Sequence, residues 1–214
     1  MKHNEMTLFP GQPMHIYSVP DSVMASPEKW CVQIKKNGHR AIVRCDEAGT
    51  VNMISRHGDE LTASKRHEWQ WLTDVFAPPF VLDGELVGPR QTGTQNYRLV
   101  LWDMVLCGGG SFLNVPYAER AEHMAWIIGS HKIPYLPMPV KNGRWGVAAV
   151  SCVNEYGAEP EGIGCADVSV LLSKIPNPDG EDEGLVFKRT DIPLAWHTRP
   201  GVEDPNQLKL RKKG

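Results

Sequence analysis

An α+β fold of mainly antiparallel sheets flanked by helices is what this 214-residue sequence predicts. Three observations carry it. Short runs with alternating apolar and polar residues, Trp30–Ile34, Ala41–Asp46 and Val51–Ser55, are separated by polar turn residues, as strands joined by hairpins are. Two further apolar runs, Phe80–Val87 and Tyr97–Val105, suit the middle of a sheet. Two stretches, Thr62–Phe76 and Pro116–Ser130, repeat their apolar residues at helical spacing.

Residues 1–28 hold Pro10, Pro13 and Pro20 and no sustained period, which predicts an irregular lead-in packed on the edge of one domain spanning 29–214. The domain opens on the Trp30 strand. Asn37-Gly38 predicts a hairpin into Ala41–Asp46, because both residues tolerate positive φ. Glu47–Thr50 is a turn by composition, and the chain continues as a meander. In Thr62–Phe76 the apolar side is Trp69, Leu72, Val75 and Phe76, opposite Lys65, Arg66 and Glu68, with Thr62 or Ser64 as cap. Its aromatics are read as core rather than as a platform for bases.

Cys107–Ser111 is glycine-rich but has neither the lysine nor the helix of a phosphate-binding loop, so a flexible connection is expected there. Pro116 suits the first turn of the helix that follows. Ile133–Val140 alternates proline with apolar residues and predicts an edge strand, whereas 143–157 fits helix or strand. An acidic turn, Asn177–Asp182, delivers Glu183 to a strand at Gly184–Lys188. Gln207–Arg211 is the last strand.

Composition narrows the function classes. With 41% hydrophobic and 22% charged residues the chain is an ordinary soluble globule, and its net charge of −2 means that any nucleic-acid binding rests on a local patch. No apolar run approaches a membrane span and no signal-peptide core is present, so a cytoplasmic protein that meets no membrane is expected. Cys31, Cys45, Cys107, Cys152 and Cys165 are odd in number and form no CxxC pair, which argues against a disulfide framework and a zinc site. His39, His57 and His123 have no partner at metal-ligand spacing and are read as surface or core residues.

Taken alone, Lys35 and Lys36 are solvated residues at a strand end. Their standing changes with five further motifs downstream. Lys35-Lys36-Asn37-Gly38 with Arg40, Ser55-Arg56-His57-Gly58, Leu82-Asp83-Gly84-Glu85, Leu101-Trp102-Asp103, Glu183-Gly184-Leu185-Val186-Phe187-Lys188 and Leu208-Lys209-Leu210-Arg211 follow one another in order. Each four-residue pattern recurs by chance. The ordered set resembles the signature series of the covalent nucleotidyltransferases, the superfamily of ATP-dependent DNA ligases, RNA ligases and mRNA capping guanylyltransferases. It is most like the adenylation domain of ATP-dependent DNA ligases, a likeness to which Ser55–Gly58 and the string Pro116-Tyr117-Ala118-Glu119-Arg120 contribute.

The resemblance implies a ligase-type nucleotidyltransferase domain that seals nicks through a covalent lysyl-AMP and a 5′-adenylated strand. RNA ligase, capping-type guanylyltransferase and a non-catalytic nucleotide-binding remnant are the alternatives. Lys35 is the implied nucleophile, three places before the glycine; Lys36 keeps its reading as a solvated turn residue. An amine attacks phosphorus only when uncharged, so Lys35 needs a pKa far below the usual ~10.4, and Lys36, Arg40, Lys209, Arg211 and a metal ion all push it down. The resemblance places Arg40, Arg56, Lys188, Lys209 and Arg211 on ribose and phosphates, with Arg40, Lys209 and Arg211 joining Lys35 in catalysis, Gln33 on the adenine edge, Trp102 over the adenine, Glu85 near ribose and lysine, and Glu183 with Glu85 on the metal. ATP and Mg²⁺, with Mn²⁺ as substitute, are the implied cofactors, since Mg²⁺ favours hard oxygen ligands and leaves positions for phosphate.

Asn37 stands where the family more often has aspartate, Trp102 where it has phenylalanine or tyrosine. Nicked duplex DNA is the implied partner, RNA the other candidate, and a monomer is expected. Most relatives continue past the last strand into an OB-fold domain that grips nucleic acid, and no such domain is apparent here. A core-only enzyme, a clamp supplied by a separate protein and a shortened sequence are the three explanations, and weak duplex affinity is expected.

Overall fold

The computed structural model describes residues 8–26, 29–61, 67–88, 98–130, 147–149 and 182–212. In chain order the elements are β1 (Phe9–Pro10), β2 (Gln12–Ile16), α1 (Asp21–Met24), β3 (Trp30–Lys36), β4 (His39–Cys45), β5 (Val51–Ile54) and a 3-10 helix, His67–Asp74. After these come β6 (Phe80–Val87), β7 (Arg98–Cys107), β8 (Gly110–Ser111), α2 (Tyr117–Ser130), β9 (Val147–Ala149), β10 (Asp182–Arg189), β11 (Trp196–His197) and β12 (Glu203–Arg211). They form a larger sheet in the order β5-β4-β6-β7-β8, with β9 beside β7, a four-stranded sheet β2-β12-β10-β3, and a small β1-β11 pair. Pairing is antiparallel except for β2 with β12 and β7 with β9, so the fold is α+β and mainly antiparallel, as the sequence predicts.

Alternation decides which face of each strand meets the core. On the larger sheet, Ala41, Val43, Leu82, Leu86, Leu99 and Leu101 pack against Trp69 and Leu72 of the 3-10 helix, Phe76 just after it, and Met124 and Ile128 of α2. On the second sheet, Val32, Ile34, Leu185, Phe187, Leu208 and Leu210 pack together beside Val23 of α1. The residues between them point the other way. Gln33 and Lys35, Val186 and Lys188, Lys209 and Arg211, and Asp83 and Glu85 line one cleft between the sheets.

Several sequence expectations change. Asn37-Gly38 is no hairpin: β3 pairs with β10 and β4 with β5 and β6, so the chain crosses from one sheet to the other at that point. Glycine is needed for close approach rather than for positive φ. A Cβ on Gly38 would lie 2.6 Å from the Leu86 carbonyl oxygen and 3.0 Å from Glu85 Cγ. Gly38→Ala is therefore expected to lower stability by about 1–3 kcal/mol, the range for overpacking, in a urea-unfolding comparison.

The lead-in is not irregular over its described part, because β2 joins the second sheet beside β12. Its prolines hide that strand from a search for period. The apolar run around Trp69 is a 3-10 helix, in which Trp69 and Leu72, three apart, fall on one edge, with Val75 in the turn that follows. The glycines after Cys107 form a tight turn, Gly108 and Gly109 at φ 57° and 80°, closing β7 onto β8 instead of a flexible connection. Cys31 and Cys45 are buried free thiols and Cys107 is a half-buried one. The expected caps Thr62 and Ser64, the strand Ile133–Val140, the turn before Asp182, the stretch 143–157 apart from β9, and Cys152 and Cys165 lie outside the described residues.

Candidate nucleotide-binding cleft

The cleft between the sheets has a volume of about 320 Å³. Gln33, Lys35, Arg40, Arg56, Glu85, Trp102, Glu183, Lys188, Lys209 and Arg211, drawn from six separate strands and the turn after β5, all line it. Register explains the convergence. Gly184 faces Lys35 across the β3-β10 ladder and Arg211 across the β10-β12 ladder, so the ends of three strands bring an amine, a carboxylate and a guanidinium together.

Lys35 is mostly buried, and its ammonium group contacts the Glu183 carboxylate. Burial is the main cause that pushes the Lys35 amine down to about 8; Glu85 opposes it, while Arg211, Lys209 and Arg56 add to the lowering. The chief cause is thus one that the sequence hides, and Arg56 contributes where Lys36 and Arg40 were expected to. Lys36 is ion-paired with Asp182 at 2.5 Å and largely buried, so it is not a solvated turn residue. Arg40 is also committed. Its fork donates to both Asp83 oxygens at 2.7 and 2.6 Å.

Glu85 is held in place by the Gly38 N–H, which donates to Oε1 at 3.1 Å. Burial raises the Glu85 carboxyl to about 7, against the pull of Lys35 and Arg40. Glu183, near the start of β10, lies 3.7 Å from Arg211 as well as in contact with Lys35. Lys209 is half-buried, and burial followed by the neighbouring Arg211 lowers its pKa. Arg56 and Arg211 are the exposed cations at the mouth.

Deeper in, Lys188 is buried with its Nζ 5.9 Å from the Trp102 ring centre and 4.7 Å from that of Tyr117. Desolvation lowers its pKa, against Asp103 and Asp83. Gln33 Nε2 donates to the Tyr117 hydroxyl at 2.7 Å. Behind the wall, fully buried Arg120 pairs with Asp103 at 3.0 Å.

The sequence reading assigned no role to Asp83, Tyr117, Asp103 or Arg120. Asp83 was within reach, because it shares a strand face with Glu85 two residues on. No signal in the sequence says that Tyr117 meets Gln33, 84 positions away. His57 lines the cleft mouth, His39 and His123 are exposed, and among the described residues no group of three or more His, Cys, Asp or Glu side chains clusters as a metal site. No described helix is long and apolar enough to cross a membrane.

Residues 13–97, about two fifths of the chain, match the family model described as the ATP dependent DNA ligase domain. No curated protein matches in sequence. Among solved structures, a mycobacterial DNA ligase D complexed with ATP and MES aligns with a TM-score of 0.65 at 20% identity, over 97% of this chain and 61% of that one. A Lig E DNA ligase, solved in a study of DNA binding with a minimal scaffold, gives 0.54 at 14% identity, over 94% and 68%. The Chlorella virus DNA ligase-adenylate gives 0.56 at 14%, over 96% and 69%. The chain thus spans about three fifths of the mycobacterial structure's length. The fold is that of a ligase-type nucleotidyltransferase domain, and the matched segment is similar to the ATP dependent DNA ligase domain. Among the structures it resembles, the similarity is to DNA ligases.

Proposed function

We propose that this chain is the nucleotide-activating core of an ATP-dependent DNA ligase, with Lys35 as the group that becomes bonded to AMP. The observation that carries the proposal is the meeting of a mostly buried lysine with Arg56, Lys209, Arg211, Glu85 and Glu183 in one cleft. A buried amine among cations is depleted of its proton more easily than any exposed lysine. Lys35 Nζ, once uncharged, attacks the α-phosphorus of ATP; an N–P bond forms, the P–O bond to pyrophosphate breaks, and the amine loses a proton. Arg56, Lys209 and Arg211 offset the charge that builds on the phosphate oxygens. A 5′-phosphate at a nick then takes the AMP from Lys35, and a 3′-hydroxyl displaces AMP to join the strand.

Glu183 and Glu85 present hard oxygen donors on the cleft wall, which would suit Mg²⁺, an ion that takes one or two carboxylates and keeps water and phosphate oxygens in its other positions. Such an ion would supply charge neutralisation at the phosphates. Contact with Glu183 favours the ammonium form of Lys35, whereas burial with Arg211, Lys209 and Arg56 favours the free amine.

Incubation with α-labelled ATP and Mg²⁺, followed by denaturation, tests the proposal. The expected result is label retained on the chain and released on addition of nicked duplex DNA. Absence of label sinks the proposal, and release by nicked RNA but not DNA changes the acceptor.

A pH series adds a sharper demand. The Lys35 amine sits at about 8. Below that value each unit of pH leaves about tenfold less free amine, so the labelling rate should rise with pH and level off above about 8. A rate still rising tenfold per unit between 9 and 10 would place the nucleophile on an ordinary solvated lysine.

A further inference from the structure

We infer that Tyr117 decides which purine the cleft accepts, by fixing the direction in which the Gln33 amide faces. This rests on the nucleotide-binding reading of the cleft.

Tyr117 opens α2, is fully buried, and stands behind Gln33, Trp102 and Lys188, which line the wall. Its hydroxyl lies 2.8 Å from the Trp102 carbonyl oxygen. A carbonyl only accepts, so the single hydroxyl proton is spent there. What remains on the Tyr117 oxygen is lone pairs, and these face Gln33 Nε2 at 2.7 Å and Lys188 Nζ at 3.4 Å, both donors.

A flipped Gln33 amide would set a carbonyl oxygen 2.7 Å from a hydroxyl oxygen with no proton to give, two acceptors in a buried site. The amide is therefore held with its NH₂ on Tyr117 and its oxygen on the other branch. An acceptor so fixed suits the 6-amino group of adenine and repels the 6-oxo group of guanine. Without Tyr117 the same amide presents either end, and an amide that turns freely discriminates poorly. Tyr117 is thus a positioning residue that acts through Gln33.

The test is titration calorimetry of ATP and GTP without divalent metal, which reads binding apart from transfer, on the whole chain. Wild type is expected to favour ATP by about tenfold or more, and Tyr117→Phe to narrow the gap to about twofold or less, because a polar site loses selectivity when its buried partner is removed. Tyr117→Phe with Gln33→Glu restores the preference, since a carboxylate offers an acceptor whichever way it turns. An unchanged gap in Tyr117→Phe, no gap in wild type, or no recovery in the double variant overturns the inference. ATP preference that follows this pattern in a chain that takes no covalent label would sink the ligase reading alone.

Discussion

Lys35→Ala is expected to take up no label from α-labelled ATP while still folding and still binding the nucleotide. Removing a covalent nucleophile costs on the order of a millionfold where such losses have been dissected, far more than removing one charge from a phosphate site. The structure adds a reason why no neighbour substitutes. Lys36 is tied to Asp182, and Lys188 is buried beside the Trp102 and Tyr117 rings. Lys209, half-buried on β12, is the remaining amine that lines the cleft among the described residues. Label that persists in Lys35→Ala and disappears in Lys209→Ala would move the nucleophile to β12. Folding should suffer little, because Arg211 remains beside Glu183 and alanine also relieves the burial of an amine whose pKa is already depressed by its surroundings. Unchanged thermal melting alongside lost labelling is the pair of results that identifies a chemical rather than a structural role.

How much of this was legible in the sequence follows from period. Each strand that lines the cleft alternates, and alternation is readable: Val32 and Ile34 against Gln33 and Lys35, Leu208 and Leu210 against Lys209 and Arg211. Motif order then gathered the site residues, although which strands pair was hidden. Asn37-Gly38 predicts a hairpin on local grounds, and only the competing partners β10 for β3 and β6 for β4 pull the two strands into different sheets. The same holds for charge. Composition offers Lys36 and Arg40 as neighbours that lower the Lys35 pKa, but Asp182 and Asp83 claim them, and both partners are brought by long-range pairing. Helix type failed for a different reason, since apolar residues three apart serve an α-helix and a 3-10 helix alike.

Arg120→Met should be the most destabilising single change behind the cleft. Arg120 and Asp103 are both buried and 3.0 Å apart, so truncating one leaves the other charge with its main partner gone. Breaking a buried pair from one side costs about 3–5 kcal/mol, whereas replacing both sides is often near neutral. Urea unfolding near pH 7.5 should therefore show a loss of that size for Arg120→Met, and Arg120→Met with Asp103→Asn should recover most of it. The sign of the pH dependence follows from burial, which raises the Asp103 pKa, while Arg120 and then Lys188 pull it down. A carboxyl raised above its unfolded value binds its proton more tightly when folded, so the folded state gains as pH falls through the folded pKa. Without Arg120 that pKa rises further, and the variant's deficit should shrink toward pH 5 as the carboxyl is neutralised. A deficit below about 1 kcal/mol, or one equal at both pH values, would mean that Asp103 is not charged in the folded chain. The same measurement bears on the site, because Asp103 follows Trp102, whose carbonyl takes the Tyr117 proton. The Tyr117 hydroxyl in turn accepts from Gln33 Nε2 on the cleft wall, so the buried pair and the cleft amide share one stretch of β7 as support.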